Sequence, residues 1–407
     1  MNLNAKALAL SLGTLCGVGA SGLTVVLVLR GLRNEFAFLP QFLPGYSVSL
    51  PGAAVGFFYG FGIGFAGAGF FYWLFRAYQR LLVMRLPHGF SLAAGLAKAH
   101  STSDPDTQKA SQLWGQRAQQ RQDQNMPIVA WTDSPLVNQL YIHPTISGVA
   151  EDNWLTWVSK KYFPQPLHRA LSIGCGDGCL ERHALQFNII AQHFDAFDAS
   201  LGAIEIARRK AEETGIAGRV RYVVADLNHC HLEPRSYEAA FSAMALHHIR
   251  ELEHVLEQIR SSLKPGSLFI LNEFVGPDQF QWTPTQVQLA NEQLHRIPER
   301  YRKSLRSGRL KYEVLRPTRA EMTAGDPTES IRSSEILPLV SQAFEIVQRV
   351  DYGGTIVNLV LEEIAGNFQW ASEDISILQM LFDAEKQLLR EGVVPSDFTL
   401  IIARRPA

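Results

Sequence analysis

The stretch at residues 169–183, RALSIGCGDGCLERH, decides how the rest of the chain is read. A short apolar run is followed at once by Gly174, Gly176 and Gly178, a glycine at every second position. A strand gains nothing from glycines at its end, and a helix start loses stability to them. The pattern predicts a sharp strand-to-helix turn whose backbone is approached so closely that side chains are excluded.

Strand and helix signals alternate beyond it. Apolar runs at 170–173, 189–197, 220–224, 239–243 and 267–271 read as strands. A helix over 201–213 starts at Ser200 as N-cap and stops at Gly215. Another, over 251–263, places Leu252, Val255, Leu256, Ile259 and Leu263 on one face before Lys264-Pro265-Gly266. Such alternation predicts an α/β fold, a Rossmann-like parallel sheet with helices on both faces. Ligands of these sheets bind at the carboxyl ends of the strands, where the glycines fall.

Two ligand classes suit the turn, dinucleotides and S-adenosylmethionine. The dinucleotide fingerprint needs a third glycine where Cys179 stands, which disfavours a nicotinamide-dependent oxidoreductase. Asp198 ends the second strand, positioned to accept hydrogen bonds from ribose hydroxyls, and Asp226 ends the third, positioned to meet an adenine amino group.

From about Arg169 to Phe274 the chain resembles the class I S-adenosylmethionine-dependent methyltransferases. The resemblance rests on Gly174-Cys-Gly-Asp-Gly178, Asp198, Ala225-Asp226-Leu227, Ala245-Leu246-His247-His248 and LKPGSLFILNEF. It implies a seven-stranded sheet whose last strand is antiparallel, with 343–354 and 397–405 as the sixth and seventh strands. It implies S-adenosylmethionine as cofactor, held by Gly174, Cys175, Gly176, Asp177, Gly178, Asp198, Ala199, Asp226, Leu227 and Met244. Ser172 departs from the pattern, since many members carry an acidic residue two positions before the first glycine. Glu181 and Arg182, in the first helix, read as structural partners.

Methyl transfer is an in-line displacement, helped mainly by alignment and, for an oxygen acceptor, by a base. Glu273, His247 and His248 are the catalytic candidates, because they lie just beyond strand ends. Inserts at about 275–338 and 355–396 are expected to cover the site, with Tyr141, His143, Asp278 and Trp282 bordering the acceptor pocket. A helix starting at Asp326 is expected within the first insert.

The N-terminal part has another character. Residues 7–29 and 52–75 contain no charged residue, and each is long enough to cross ~30 Å of hydrocarbon. Small residues recur every fourth position, as Ala9, Gly13, Gly17 and Ser21, then Gly52, Gly56, Gly60, Gly64 and Ala68, which predicts a tight transmembrane hairpin. Lys6, Arg76, Arg80 and Arg85 outnumber Arg30 and Arg33, so both termini are expected on the cytoplasmic face, with the resemblance to bacterial members suggesting an inner membrane. The chain thus divides into an anchor (1–85), a polar linker (86–125) that is partly helical near 110–122, and the sheet domain (126–407).

A net charge of -1 argues against nucleic acid as a partner. Four cysteines, of which only Cys175 and Cys179 lie close together, predict neither a disulfide framework nor a metal site. The expectation is a membrane-tethered methyltransferase acting on a small-molecule or lipid-linked acceptor; the alternative is a catalytically silent S-adenosylmethionine-binding module that holds a partner.

Overall fold

The structure is a computed structural model and describes residues 5–30, 43–44, 46–84, 104–122 and 126–407. It divides into two units, Met1–Leu92 and Ala93–Ala407. Arg33 and Arg85 lie outside the described residues, as do the side chains of Lys6, Arg76 and Arg80, on which the topology expectation rests.

The first unit is two helices, Ala5–Leu29 and Leu50–Met84. Within them Leu10–Leu29 and Leu50–Ala68, of mean hydropathy 2.0 and 1.3, are long and apolar enough to cross a membrane. The glycine ladder explains how they meet. A Cβ at Gly60 would stand 2.5 Å from the Cys16 carbonyl oxygen, one at Gly64 2.7 Å from that of Leu12, and one at Gly17 2.9 Å from that of Phe57. Gly19, Gly22 and Gly62, off the ladder, have nothing within 4 Å. Backbone approach at every fourth residue therefore holds the pair, with Thr24 and Tyr46 hydroxyls bonded at 2.7 Å near the turn.

The second unit is built on one seven-stranded sheet of order β3-β2-β1-β4-β5-β7-β6. Its strands are β1 (Leu167–Ile173), β2 (Ala191–Asp198), β3 (Val220–Val224), β4 (Tyr237–Ala243), β5 (Leu263–Phe274), β6 (Glu345–Gly353) and β7 (Phe398–Arg404). The first five are parallel, and β7 runs antiparallel between β5 and β6. Central strands are apolar on both faces, as a sheet covered by helices requires: β1 ends in four buried residues and β7 has six. Helices Cys179–Gln186, Leu201–Glu213 and Leu252–Ser262 are the connections, and Ser200 caps the second by accepting from the Ala203 amide.

The segment read as a polar, partly helical linker carries one continuous helix, Pro105–Gln120, that belongs to the sheet unit and packs on the Leu201–Glu213 helix. Asp104 caps it through the Thr107 amide. The unit therefore extends N-terminal to residue 126. Asp326 starts no helix: it follows the short helix Arg319–Gly325, and its carboxylate holds the Thr328 amide and hydroxyl at 3.0 and 2.9 Å.

Replacing Gly60 by Val pushes a branched side chain against the Cys16 carbonyl, whereas Gly19→Val projects into open space. Overpacking of this kind costs about 1–3 kcal/mol. Thermal melts of the detergent-solubilised protein, followed by circular dichroism, should show a lowered midpoint for G60V and an unchanged one for G19V.

Candidate functional site

The loop after β1 shows why three glycines are needed, and the reasons differ. All three have positive φ: +69° at Gly174, +53° at Gly176 and +78° at Gly178. A Cβ at Gly174 would meet that of Ala245 at 2.2 Å, and one at Gly178 would meet the Tyr222 hydroxyl at 2.3 Å. At Gly176 nothing lies within 4 Å. Packing thus excludes side chains at the two outer glycines, while the middle one presents bare backbone to an open cleft.

Asp198 fixes this presentation. Its Oδ2 accepts from the Gly176 amide and its Oδ1 from the Ser200 amide, both at 2.8 Å. Burial raises the Asp198 pKa from its ordinary value, with the two amides opposing. Among the described residues no cation pairs with it, so lone pairs remain for hydroxyl donors. Asp177 differs: although burial alone would raise its pKa, Lys210 at 2.6 Å and Arg182 at 3.6 Å hold it low, making it a structural ion of the loop.

Asp226, beyond β3, is buried, and its Oδ1 takes both Asn228 nitrogens at 3.0 and 2.9 Å. Its Oδ2 has no partner, an orphaned acceptor of the kind an adenine amino group would satisfy. Leu227 beside it is buried, and Cys175 is a buried thiol whose pKa burial pushes well up. Met244, after β4, takes φ +51° with its side chain 41% exposed, a strained backbone position at the same edge. The Ala199 carbonyl is taken by the Ser111 hydroxyl at 2.8 Å.

Glu181 supplies a carboxyl group that Ser172 lacks. It is fully buried from the first turn of its helix, and neither oxygen has a bonded partner; the Ser172 hydroxyl is near enough to favour the anion without a bond of normal geometry. Burial raises its pKa to about 7.

Among the catalytic candidates, Glu273 is an anchor rather than a free base. Its Oε2 accepts the Ala245 and Leu246 amides at 2.9 and 2.7 Å, and its Oε1 the Phe274 amide at 2.8 Å and His247 Nδ1 at 2.5 Å. Burial would lower the His247 pKa, but the Glu273 charge and hydrogen bond, helped by Glu329, raise it to about 9. Burial raises and His247 lowers Glu273, with a net fall. His248 is held low by burial and then by the His247 charge; its Nδ1 meets the Thr328 hydroxyl at 3.2 Å.

A cavity of about 1300 Å³ is lined among others by Arg117, Arg121, Ile128, Phe280, Trp282 and Glu329. Of the four expected pocket residues, Trp282 lines it, stacked on Phe280 at 5.1 Å. The others are engaged elsewhere. Tyr141 is buried and donates to Glu385 at 2.6 Å, His143 Nδ1 meets the Ala150 carbonyl at 2.8 Å, and Asp278 accepts the Ser334 amide at 2.9 Å. Sequence reading missed Trp114, whose indole donates to Asp326 at 3.0 Å and whose ring lies 5.1 Å from that of His248. A lone tryptophan in an otherwise polar segment was its signal. Glu329 gave none, lying 82 and 81 positions along the chain from His247 and His248.

Comparison with known proteins agrees with this geometry. Residues 170–266 match the profile of a methyltransferase domain family. Residues 170–266 are thus a methyltransferase domain of the class I S-adenosylmethionine-dependent kind. A stretch of 115 residues is 28% identical to sterol 24-C-methyltransferase of Aspergillus fumigatus, covering 28% of this chain and 29% of that protein. A stretch of 125 residues is 23% identical to the ubiquinone/menaquinone biosynthesis C-methyltransferase of Bartonella henselae, covering 30% and 47%. The chain therefore spans less than half the length of these curated relatives. Among solved structures, geranyl diphosphate C-methyltransferase from Streptomyces coelicolor superposes with a TM-score of 0.44 at 12% identity, covering 75% of this chain and all of that one. The cofactor of this domain family is S-adenosylmethionine, and the bare Gly176 backbone, the Asp198 carboxylate and the orphaned Asp226 oxygen fit it.

Substituting Asp198→Ala removes one charge-assisted hydrogen bond to the cofactor and should weaken S-adenosylmethionine binding at least ~10-fold by calorimetry. A second prediction concerns Glu181. Because its folded-state pKa of about 7 lies above the ordinary 4.5, the folded protein binds more protons than the unfolded chain between those values. Stability should fall by about 3 kcal/mol as pH rises through that window and level off above it. Glu181→Gln should abolish the slope, raising the melting midpoint above pH 7 and leaving it unchanged below pH 4.5.

Proposed function

We propose that the protein is a membrane-tethered S-adenosylmethionine-dependent methyltransferase acting on a small amphipathic or lipid-linked acceptor. The observation that carries this reading is a loop with bare backbone at Gly176 beside the Asp198 carboxylate, in a unit that also holds a large cavity lined by Phe280, Trp282 and Glu329. The first suits the nucleoside, the second an acceptor.

Bound S-adenosylmethionine supplies a methyl group on a positively charged sulfur, open to in-line attack. Gly176 and Asp198 hold the ribose end, and Asp226 orients the adenine. The Ala245–His248 turn, pinned by Glu273, sets the floor between cofactor and acceptor. Phe280 and Trp282 present parallel aromatic faces for the apolar part of the acceptor, and Arg117 and Arg121 offer charge to a polar end. Alignment of this kind is the main contribution to displacement at a methyl group.

The two apolar helices support membrane attachment, with the catalytic domain on the cytoplasmic face as the charge distribution of the sequence favours. Attachment concentrates lipid-borne acceptors beside the domain.

Calorimetry with the detergent-solubilised full chain tests the reading. S-Adenosylmethionine and S-adenosylhomocysteine should bind and NAD should not; binding of NAD alone would overturn it. With radiolabelled methyl donor, lipid extracts should then yield a labelled product that Trp282→Ala reduces at least ~10-fold through lost aromatic contact. Cofactor binding without any labelled product would favour the silent, partner-holding alternative.

A further inference from the structure

The turn after β4 and the segment 326–331 are pinned together more tightly than covering a cavity requires. The Ile331 amide bonds the His247 carbonyl at 3.0 Å, and the Gln279 amide bonds the Ser330 carbonyl at 2.7 Å. Ser330 takes φ +52°, a strained position that sets Glu329 toward the two histidines.

Both imidazoles are oriented from behind. His247 Nδ1 is held by Glu273, and His248 Nδ1 by Thr328, whose own hydroxyl bonds Asp326 at 2.9 Å. This leaves the two Nε2 atoms on the front. His247 Nε2 lies 3.5 Å from Glu329 Oε1, and His248 Nε2 is buried without a partner. One nitrogen from each ring and a Glu329 oxygen lie within 4.8 Å of one another. The remaining contact of Glu329 is the Ser330 hydroxyl, at 3.4 Å.

We propose that His247, His248 and Glu329 form a binding site for a divalent transition-metal ion in the wall of the acceptor cavity. Two imidazoles and one carboxylate are the donor set of open zinc and non-haem iron sites. Ligand atoms around an ion with bonds of ~2.1 Å stand about 3.4 Å apart, the spacing already present between His247 and Glu329. The hydrogen bonds behind each ring are the supporting contacts that metal-bound histidines make, and a carboxylate behind histidine strengthens the ligand. An ion pair between His247 and its two carboxylates would account for His247 alone. It leaves His248 Nε2 buried and unsatisfied, which a shared cation resolves. Three protein ligands leave coordination positions open, and Glu329 lines the cavity, so those positions face an acceptor oxygen or nitrogen. The site stands independently of cofactor binding.

The test uses the untagged full chain in detergent, treated with chelator and then equilibrated with Zn²⁺ or Co²⁺. One ion per chain should remain after gel filtration, measured by elemental analysis, and the Co²⁺ form should show the visible absorption of a nitrogen- and oxygen-ligated site. His248→Gln and Glu329→Gln should each weaken binding at least ~100-fold, and Thr328→Val, which removes only the support behind His248, about 10-fold. His295→Gln, bonded to the Tyr312 carbonyl elsewhere, should change nothing. Wild-type protein that retains no stoichiometric metal, or retains it equally after His248→Gln and Glu329→Gln, would overturn the proposal. Stoichiometry and spectrum are read on the wild type first, so a variant that fails to fold leaves the test decisive. S-Adenosylmethionine affinity measured on the same samples separates failure of this site from failure of the methyltransferase reading.

Discussion

One buried carboxylate, that of Glu273, organises the functional edge of the sheet. Parallel strands end with amides that have no ladder partner, and the chain between β4 and its following helix is irregular. Glu273 gathers three of those amides and one imidazole around two oxygens. A fully buried carboxylate is tolerated only when its lone pairs are filled, and here the same bonds that solvate it fix the backbone. Removing it would leave unsatisfied amides and a buried imidazole together, so the site and the sheet edge share one point of failure.

The same device recurs two strands along the same edge, after β6. Glu385, also fully buried, accepts the Gly354, Ile356 and Val357 amides and the Tyr141 hydroxyl. It thereby ties the long helix Ser372–Arg390 of the second insert to the turn after β6. A Cβ at Gly353 would stand 2.2 Å from its Oε1, which explains the paired glycines there. The inserts are therefore attached to the sheet through charge-assisted backbone bonds as well as apolar contacts, a rigid mounting for the residues they carry.

Much of this was legible in the sequence, and the limits have a physical pattern. Apolar runs marked the five parallel strands, and Ser200 and Gly215 marked their helix, because these signals are local; the last two strands followed from the family resemblance. The Asp198 and Asp226 positions were readable because strand ends fix where a side chain can act. Legibility failed where a role depends on distant partners. Tyr141 looks like a pocket residue until Glu385, 244 positions away, claims its hydroxyl. Glu273 looks like a base until its four donors are seen. The Pro105–Gln120 helix was legible only in part, since the small residues Ala110 and Ala118, not large apolar ones, provide its buried face.

That helix carries a consequence for local opening of the fold. It crosses the Leu201–Glu213 helix where Gly115 meets Gly202, with Ala118, Ala203 and Ile206 as the small apolar cluster between them. Apart from the Trp114 ring on His248, its other attachments are polar: Ser111 with Ser200, Trp114 with Asp326, Lys109 with the carbonyls of Thr323 and Ala324, and Asp106 with Arg250. A glycine crossing offers no interlocked side chains, and polar bonds are replaced by water when they part. The helix that contributes Arg117 to the cavity wall thus rests on its neighbour through small residues and not interlocked side chains. An element held in this way belongs with those that open locally while the sheet beneath stays folded.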